Sequence, residues 1–201
     1  LISNNFVDYL YTIFSTEKVE KALSDYFIGN DDYWPGATVF WQIDKEGNIR
    51  TGKIMLYDAH TGRRVKKPYN HIHWMHKTLG LTDYNLKQCL FGEHLLFNHR
   101  NKPIGIVESE KTAIIANIFL PEFLWLATGS ISNLNTDHCK VLQNRNVTLF
   151  PDANGFENWN KRAAGLVSVG KVIVSDLLER KASVEEKAQG FDLADYLLGP
   201  K

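Results

Sequence analysis

Residues 103–116, Pro-Ile-Gly-Ile-Val-Glu-Ser-Glu-Lys-Thr-Ala-Ile-Ile-Ala, leave this chain few ways to fold. Ile104, Ile106 and Val107 form a short uncharged apolar run, the pattern of a strand buried on both faces. The run breaks abruptly into Glu108-Ser109-Glu110-Lys111. Ala113, Ile114, Ile118 and Phe119 then recur near helical spacing. Ser109 stands where an N-cap belongs, and Pro121 stops the helix. A buried strand feeding a helix puts Glu108 at the strand's carboxyl end, where open α/β sheets place their sites.

A second stretch repeats the pattern. Val147-Thr148-Leu149-Phe150 reads as an apolar strand running into Pro151-Asp152-Ala153-Asn154-Gly155. A helix from about Phe156 to Ala164 follows, closed by Gly165. If the two strands are neighbours in one parallel sheet, Glu108 and Asp152 converge at one edge. Two carboxylates there suit Mg²⁺, which prefers oxygen ligands and keeps waters for substrate phosphates. The same acids also fit solvated loop positions or charges that favour a helix dipole.

The front half reads as a small α+β subdomain. Phe6, Tyr9, Leu10, Ile13 and Phe14 share a helical face over residues 5–14. A second helix follows Ser15-Thr16 and runs to about Tyr26, and Gly29-Asn30-Asp31-Asp32 is a turn. Thr38 to Ile43 and Ile49 to Tyr57 form a β-hairpin around Lys45-Glu46-Gly47-Asn48. Arg63-Arg64-Val65-Lys66-Lys67-Pro68-Tyr69 is the strongest basic run, followed by His71, His73, Trp74, His76 and Lys77. Cations interleaved with aromatics suit phosphates and stacked bases, and equally describe a solvated loop. The His-x-His-x-x-His spacing could suggest a metal, but it falls in an expected loop without a nearby acid or cysteine, which fits surface or core histidines better.

The back half continues with an expected short strand at Gln88–Gly92, and another at Leu124–Ala127 that ends in Thr128-Gly129-Ser130. Such a loop can let backbone N–H groups approach a phosphate, or be an ordinary tight turn. Lys171–Val174 is the last strand, and Ser183-x-x-Glu186 is a capping box. Asp192 reads as the N-cap of a final helix. A loose boundary between Leu86 and Asn101 divides the chain into residues 1–90 and 91–201.

Lys+Arg and Asp+Glu are both 23, so nucleic-acid contact would need a local patch rather than a basic chain. Cys89 and Cys139, the only two cysteines, fit a reducing cytoplasm and form no zinc ribbon. No apolar run approaches membrane-span length. The chain begins at Leu1 rather than Met, as expected of a trimmed sequence.

Val107-Glu108-Ser109-Glu110-Lys111-Thr112-Ala113, Ala127-Thr128-Gly129-Ser130 and Phe150-Pro151-Asp152-Ala153-Asn154-Gly155 together resemble the Toprim domain of bacterial-type primases, topoisomerases and related nucleases. The likeness leans toward primase-like Toprim proteins of Bacteroides-type mobile elements and phages. It covers roughly residues 90–198 well and the front half more loosely. Gly190-Phe191-Asp192-Leu193-Ala194-Asp195-Tyr196 resembles the ending of many primase-type Toprim sheets.

The resemblance implies an α/β fold: a Toprim-like, Rossmann-like parallel sheet flanked by helices, behind the α+β subdomain. It implies Mg²⁺ or Mn²⁺ held by a glutamate after the first strand and an Asp-x-Asp after the third, here Glu108 and Asp152. Asn154 replaces the second aspartate and removes one negative charge, for which Glu110 or Glu157 could compensate. Arg63, Arg64, Lys66, Lys67, Lys111, Gly129 and Ser130 are the expected nucleic-acid contacts. The expected activity is primase-type nucleotidyl or phosphoryl transfer on single-stranded DNA, with Glu108 and Asp152 as catalytic residues. A helicase or other replication partner and an upstream zinc ribbon also follow from the likeness. The competing expectation is a catalytically degenerate scaffold that binds single-stranded DNA or a replication partner. A topoisomerase needs a separate tyrosine-bearing domain, for which this chain is too short. A phosphatase would also use strand-end acids.

Overall fold

Two four-stranded sheets organise the chain, one antiparallel and one parallel. The computed structural model describes residues 3–166 and 169–199. The chain divides into two units, Leu1–Gln88 and Cys89–Lys201, each with its own sheet.

In the first unit, α1 (Asn5–Ile13) buries Phe6, Val7, Tyr9 and Leu10 on one face. Its N-cap is Asn4, whose Oδ1 accepts from the Val7 N–H at 3.0 Å. α2 (Thr16–Asp25) follows, with Ser15 at the N-cap position but without a side-chain cap bond. β1 (Gly29–Asp31), β2 (Ala37–Ile43), β3 (Ile49–Met55) and β4 (Ile72–Trp74) pair in that order, all antiparallel. Phe6 of α1 meets Phe40 of β2 at 5.8 Å and Tyr57 at 5.2 Å between ring centroids. α3 (Met75–Thr78) closes the unit's regular structure.

Two expectations need correction here. Gly29–Asp31 is an edge strand rather than a turn, because its backbone pairs with Ala37–Val39 despite its polar side chains. The His-x-His-x-x-His segment is not a loop: His73 lies in β4 and His76 in α3.

In the second unit, β5 (Ile104–Val107) and β6 (Leu124–Ala127) are buried at every residue. α4 (Glu110–Phe119) connects them, a right-handed type of crossover being the rule for such parallel pairs. Ser109 caps α4 as expected, its Oγ accepting from the Thr112 N–H at 3.2 Å. The helix is buried on more than one stripe, at Ala113, Ile114, Ile115, Ala116 and Ile118, while Phe119 is exposed. α5 (Thr136–Cys139) precedes β7 (Val147–Leu149). α6 (Phe156–Ala163) ends in a 3-10 turn, Ala164–Leu166, so Gly165 continues the helical path instead of closing it. β8 (Val172–Val174), α7 (Leu177–Lys181), α8 (Val184–Gln189) and α9 (Leu193–Leu198) complete the unit.

The parallel sheet runs β6-β5-β7-β8. The chain steps from β5 outward to β6, then returns across β5 to place β7 on its other side. β5 and β7 therefore flank the topological switch point, where an α/β sheet opens a crevice at its carboxyl edge. Gly105 lets the sheet close around Trp125: an added Cβ would sit 2.6 Å from the indole ring. The expected strand at Gln88–Gly92 reduces to one antiparallel bridge, Phe91 with Ala127. Among the described residues no helix is long and apolar enough to cross a membrane.

Candidate carboxylate site at the sheet's switch point

Parallel pairing aligns Ile106 with Leu149, so the chain leaves β5 and β7 side by side. Glu108 follows the last residue of β5 directly. The Phe150 N–H donates to the Ile106 carbonyl at 2.8 Å, which carries β7's continuation along β5 into Pro151-Asp152. A tight turn follows, the Gly155 N–H donating to the Asp152 carbonyl at 2.8 Å. Gly155 is required there, because a Cβ would lie 2.8 Å from that same oxygen.

The chain's end reaches the same edge. The Ala153 N–H donates to the Phe191 carbonyl at 2.9 Å. Thr112 Oγ1, in the first turn of α4, donates to Asp192 Oδ2 at 2.8 Å. Asp192 and Asp195 form a reciprocal capping box at the start of α9. Asp192 is thus both the helix cap that its sequence position suggests and a member of the acid cluster.

The charges of these groups act on Asp152. Burial, then the charges of Asp192, Glu108 and Asp195, push the Asp152 carboxyl from the ordinary 3.8 up to about 8. Lys111 pulls weakly in the other direction. Glu108 and Asp152, distant in sequence, therefore sense each other at one sheet edge. Asp192 and Asp195 join them, and Glu110 and Glu157 are not in that set. Glu110 is only 2% exposed within α4, and Glu157 is exposed in α6.

Asn154 is engaged elsewhere. Its backbone has φ +66°, a left-handed conformation that asparagine tolerates better than most residues. Its Nδ2 donates to the Lys187 carbonyl at 3.0 Å and its N–H donates to Glu179 Oε2 at 3.2 Å. Lys187 Nζ in turn pairs with Glu179 Oε1 at 2.7 Å. An aspartate could not donate to Lys187, so the amide has a structural role here.

Two backbone donors of the Thr128-Gly129-Ser130 loop are engaged within the sheet edge. The Gly129 N–H donates to the Glu108 carbonyl at 2.8 Å and the Thr128 N–H to the Val107 carbonyl at 3.1 Å. Ser130 Oγ is shared with Ser132, 2.9 Å from its hydroxyl. Also at this edge is the buried Thr128 hydroxyl, which lacks a hydrogen-bond partner among the described residues. Lys111, expected among nucleic-acid contacts, belongs electrostatically to the carboxylate site.

Arg63, Arg64, Lys66 and Lys67 lie in the first unit, and all four are exposed. Tyr57 and Arg64 bridge across a short hairpin, and the Val65 N–H donates to the Leu56 carbonyl at 2.9 Å. Among the described residues no three His, Cys, Asp or Glu side chains are gathered as a ready metal-ligand set. His71, His73 and His76 instead stack on tyrosine rings.

A parallel sheet ordered 2-1-3-4, with acids after its first and third strands, is a Toprim-like α/β fold. A family model described as "Domain of unknown function (DUF6371)" matches residues 4–153, and the chain belongs to that family. No curated protein matches it. Among solved structures, the zinc-binding and RNA polymerase domains of the Aquifex aeolicus primase are similar at 14% identity and a TM-score of 0.53. That match covers 88% of this chain and 49% of the other, so this chain spans about half its length. Primase domains of bacteriophage T7, solved with the phage lagging-strand DNA polymerase, an RNA/DNA hybrid and dTTP, are similar at 17% identity. Their TM-score is 0.50, and the match covers 85% of this chain and 80% of that one. At these identities the likeness is one of fold.

Proposed function

We propose that this protein is a primase-like nucleic-acid-processing protein of a mobile element or phage. In this reading it carries out nucleotidyl or phosphoryl transfer at the Glu108–Asp152 edge with a divalent cation. The observation that carries the reading is the parallel pairing of β5 with β7, which brings Glu108 and Asp152 to one sheet edge, with Asp192 held there by Thr112. Acids crowded until one holds its proton at neutral pH form a site that a cation would relieve. The donor set is all oxygen and hard, as Mg²⁺ or Mn²⁺ prefers. Glu108, Asp152 and Asp192 would hold the ion, and their side chains would draw together on binding, since no ligand set is preassembled.

Bound there, the ion would neutralise charge on a phosphate and orient the attacking and leaving oxygens. The protein's own groups do the rest. Asp152 would have to release its carboxyl proton to serve as a ligand. Thr112 Oγ1 fixes Asp192 Oδ2 and so the position of that acid. Lys111 supplies positive charge beside the cluster for a phosphate. The buried Thr128 hydroxyl provides a further polar group at the same edge.

A second reading is favoured by one observation, the tie of Asn154 to Lys187. With the second Asp-x-Asp acid given over to structure, the fold would serve as a scaffold for single-stranded DNA or a replication partner. The two readings separate by titrating Mn²⁺ calorimetrically into wild type, Glu108→Gln and Asp152→Asn. Binding in wild type that is lost in both variants supports the first. Indistinguishable weak binding in all three removes the metal and leaves the scaffold.

A further inference from the structure

The first unit carries a run of stacked rings that the carboxylate chemistry does not use. Tyr69 stacks on His71, with centroids 4.5 Å apart and planes 22° from parallel. His71 meets Trp34 edge-on at 5.0 Å, and Trp34 meets Tyr33 edge-on at 4.6 Å. Tyr33 stacks on His73 at 4.2 Å with planes 6° apart. The inner rings are held by the fold: His71 is 7% exposed, with Nδ1 3.3 Å from the Val65 carbonyl, and His73 is paired opposite Ile54 in the sheet. The outer rings are not covered: Tyr33 is 47% exposed and Tyr69 is 55% exposed.

Charge singles out the occupant. Between Asp58 and Asp83 the chain has no acid, while it carries Arg63, Arg64, Lys66, Lys67 and Lys77. The whole chain has no net charge, so this is a local excess. Aromatic faces that end in a cationic run match a polymer of flat rings on an anionic backbone. A proline-rich peptide would use the rings but would gain nothing from the cations. A duplex would meet the cations, but its bases are stacked away from Tyr33 and Tyr69.

We propose that Tyr69 and Tyr33 are a base-stacking platform for single-stranded nucleic acid, with Arg63, Arg64, Lys66 and Lys67 on its phosphates. The proposal rests on the reading that nucleic acid is what this chain handles, and it uses different residues from the carboxylate site. The imidazoles behind both tyrosines fix the rings before binding, so little side-chain freedom is lost on contact. Asp31 and Asp32 adjoin Tyr33, and the Asp31 carboxylate accepts from the Tyr33 N–H at 2.8 Å. Phosphates therefore run on the Tyr69 side, and Tyr33 receives a base alone.

The test is fluorescence anisotropy with the full chain and a labelled oligothymidylate of about 20 nucleotides, in EDTA. EDTA removes the proposed cation, so this assay reads the platform whatever the calorimetric titration shows. Wild type binds the single strand more tightly than a duplex of equal length. Tyr69→Ala weakens binding about tenfold, within the range of one lost base stack, and Tyr69→Phe restores it. Lys66→Ala with Lys67→Ala lowers the salt slope by about 1.4, at roughly 0.7 per single-strand phosphate contact. All the substituted residues are exposed, and a thermal melt checks each fold. Equal binding by wild type and the Tyr33→Ala/Tyr69→Ala double variant overturns the proposal. So does duplex binding as tight as single-strand binding, or capture of a proline-rich peptide in place of the oligonucleotide.

Discussion

Replacing Asp152 by asparagine should stabilise the metal-free protein, and by more as the pH rises. In the folded state the carboxyl is pushed up to about 8, whereas its ordinary value is 3.8. Between those values the unfolded chain has released a proton that the folded chain still holds. The unfolded state then binds fewer protons, so stability falls as pH rises through this window and levels off above it. At about 1.36 kcal/mol per pH unit, the fall between about pH 5 and about pH 8 is at most about 4 kcal/mol. Asp152 is half-buried, and water sharing its charge reduces this to roughly 2 kcal/mol. An asparagine of the same shape does not titrate. Its advantage over wild type in EDTA should therefore widen across that range by about 4–8 °C in melting temperature, at about 2–4 °C per kcal/mol for a chain of this size. Thermal melts of both proteins at several pH values are the assay. A difference that stays constant with pH, or a variant less stable throughout, would refute the reasoning, because Asp152 would then be ionised and satisfied by partners such as Lys111.

The other expectations concern the frame around that acid. Asn154→Asp loses the donor to Lys187 and faces its carbonyl with a carboxylate, which should lower stability by about 1–2 kcal/mol in a denaturant titration. Gly105→Ala pushes a methyl against the Trp125 indole, at 2.6 Å, and overpacking of that kind should destabilise by about 1–3 kcal/mol. Asp192→Asn keeps a capping side chain but removes the largest neighbouring charge on Asp152, so the Asp152 carboxyl should titrate lower by carbon-detected NMR.

Much of the second unit was legible because its signals are local. A charge-free apolar run ending in an acid marks a strand end, and Ser109 caps α4 as its position demands. The Ser183–Glu186 capping box forms as the spacing says. Pairing of β5 with β7 follows from two strands of that kind in one sheet. The less legible features depend on partners distant in sequence. Asp192 looks like a cap and is one, while the long-range Ala153–Phe191 and Thr112–Asp192 hydrogen bonds bring its charge to the edge where Asp152 lies. Asn154 looks like a weakened ligand, and only α8 shows what its amide is bonded to. The Gly129 N–H is bonded to the Glu108 carbonyl, a pairing that the Gly-Ser spacing does not announce. In the first unit, β1 is glycine and polar residues alone, and β4, Ile72-His73-Trp74, is too short for its alternation to stand out. Their ring stacking could not be read from spacing alone.

The most direct measurement is a crystal of this protein soaked in Mn²⁺ and examined for anomalous density. The account predicts a peak about 2 Å from carboxylate oxygens of Glu108 and Asp152, with Asp192 alongside. A clean map at that sheet edge, with the same acids occupied by Lys111 or by other protein groups, would contradict it.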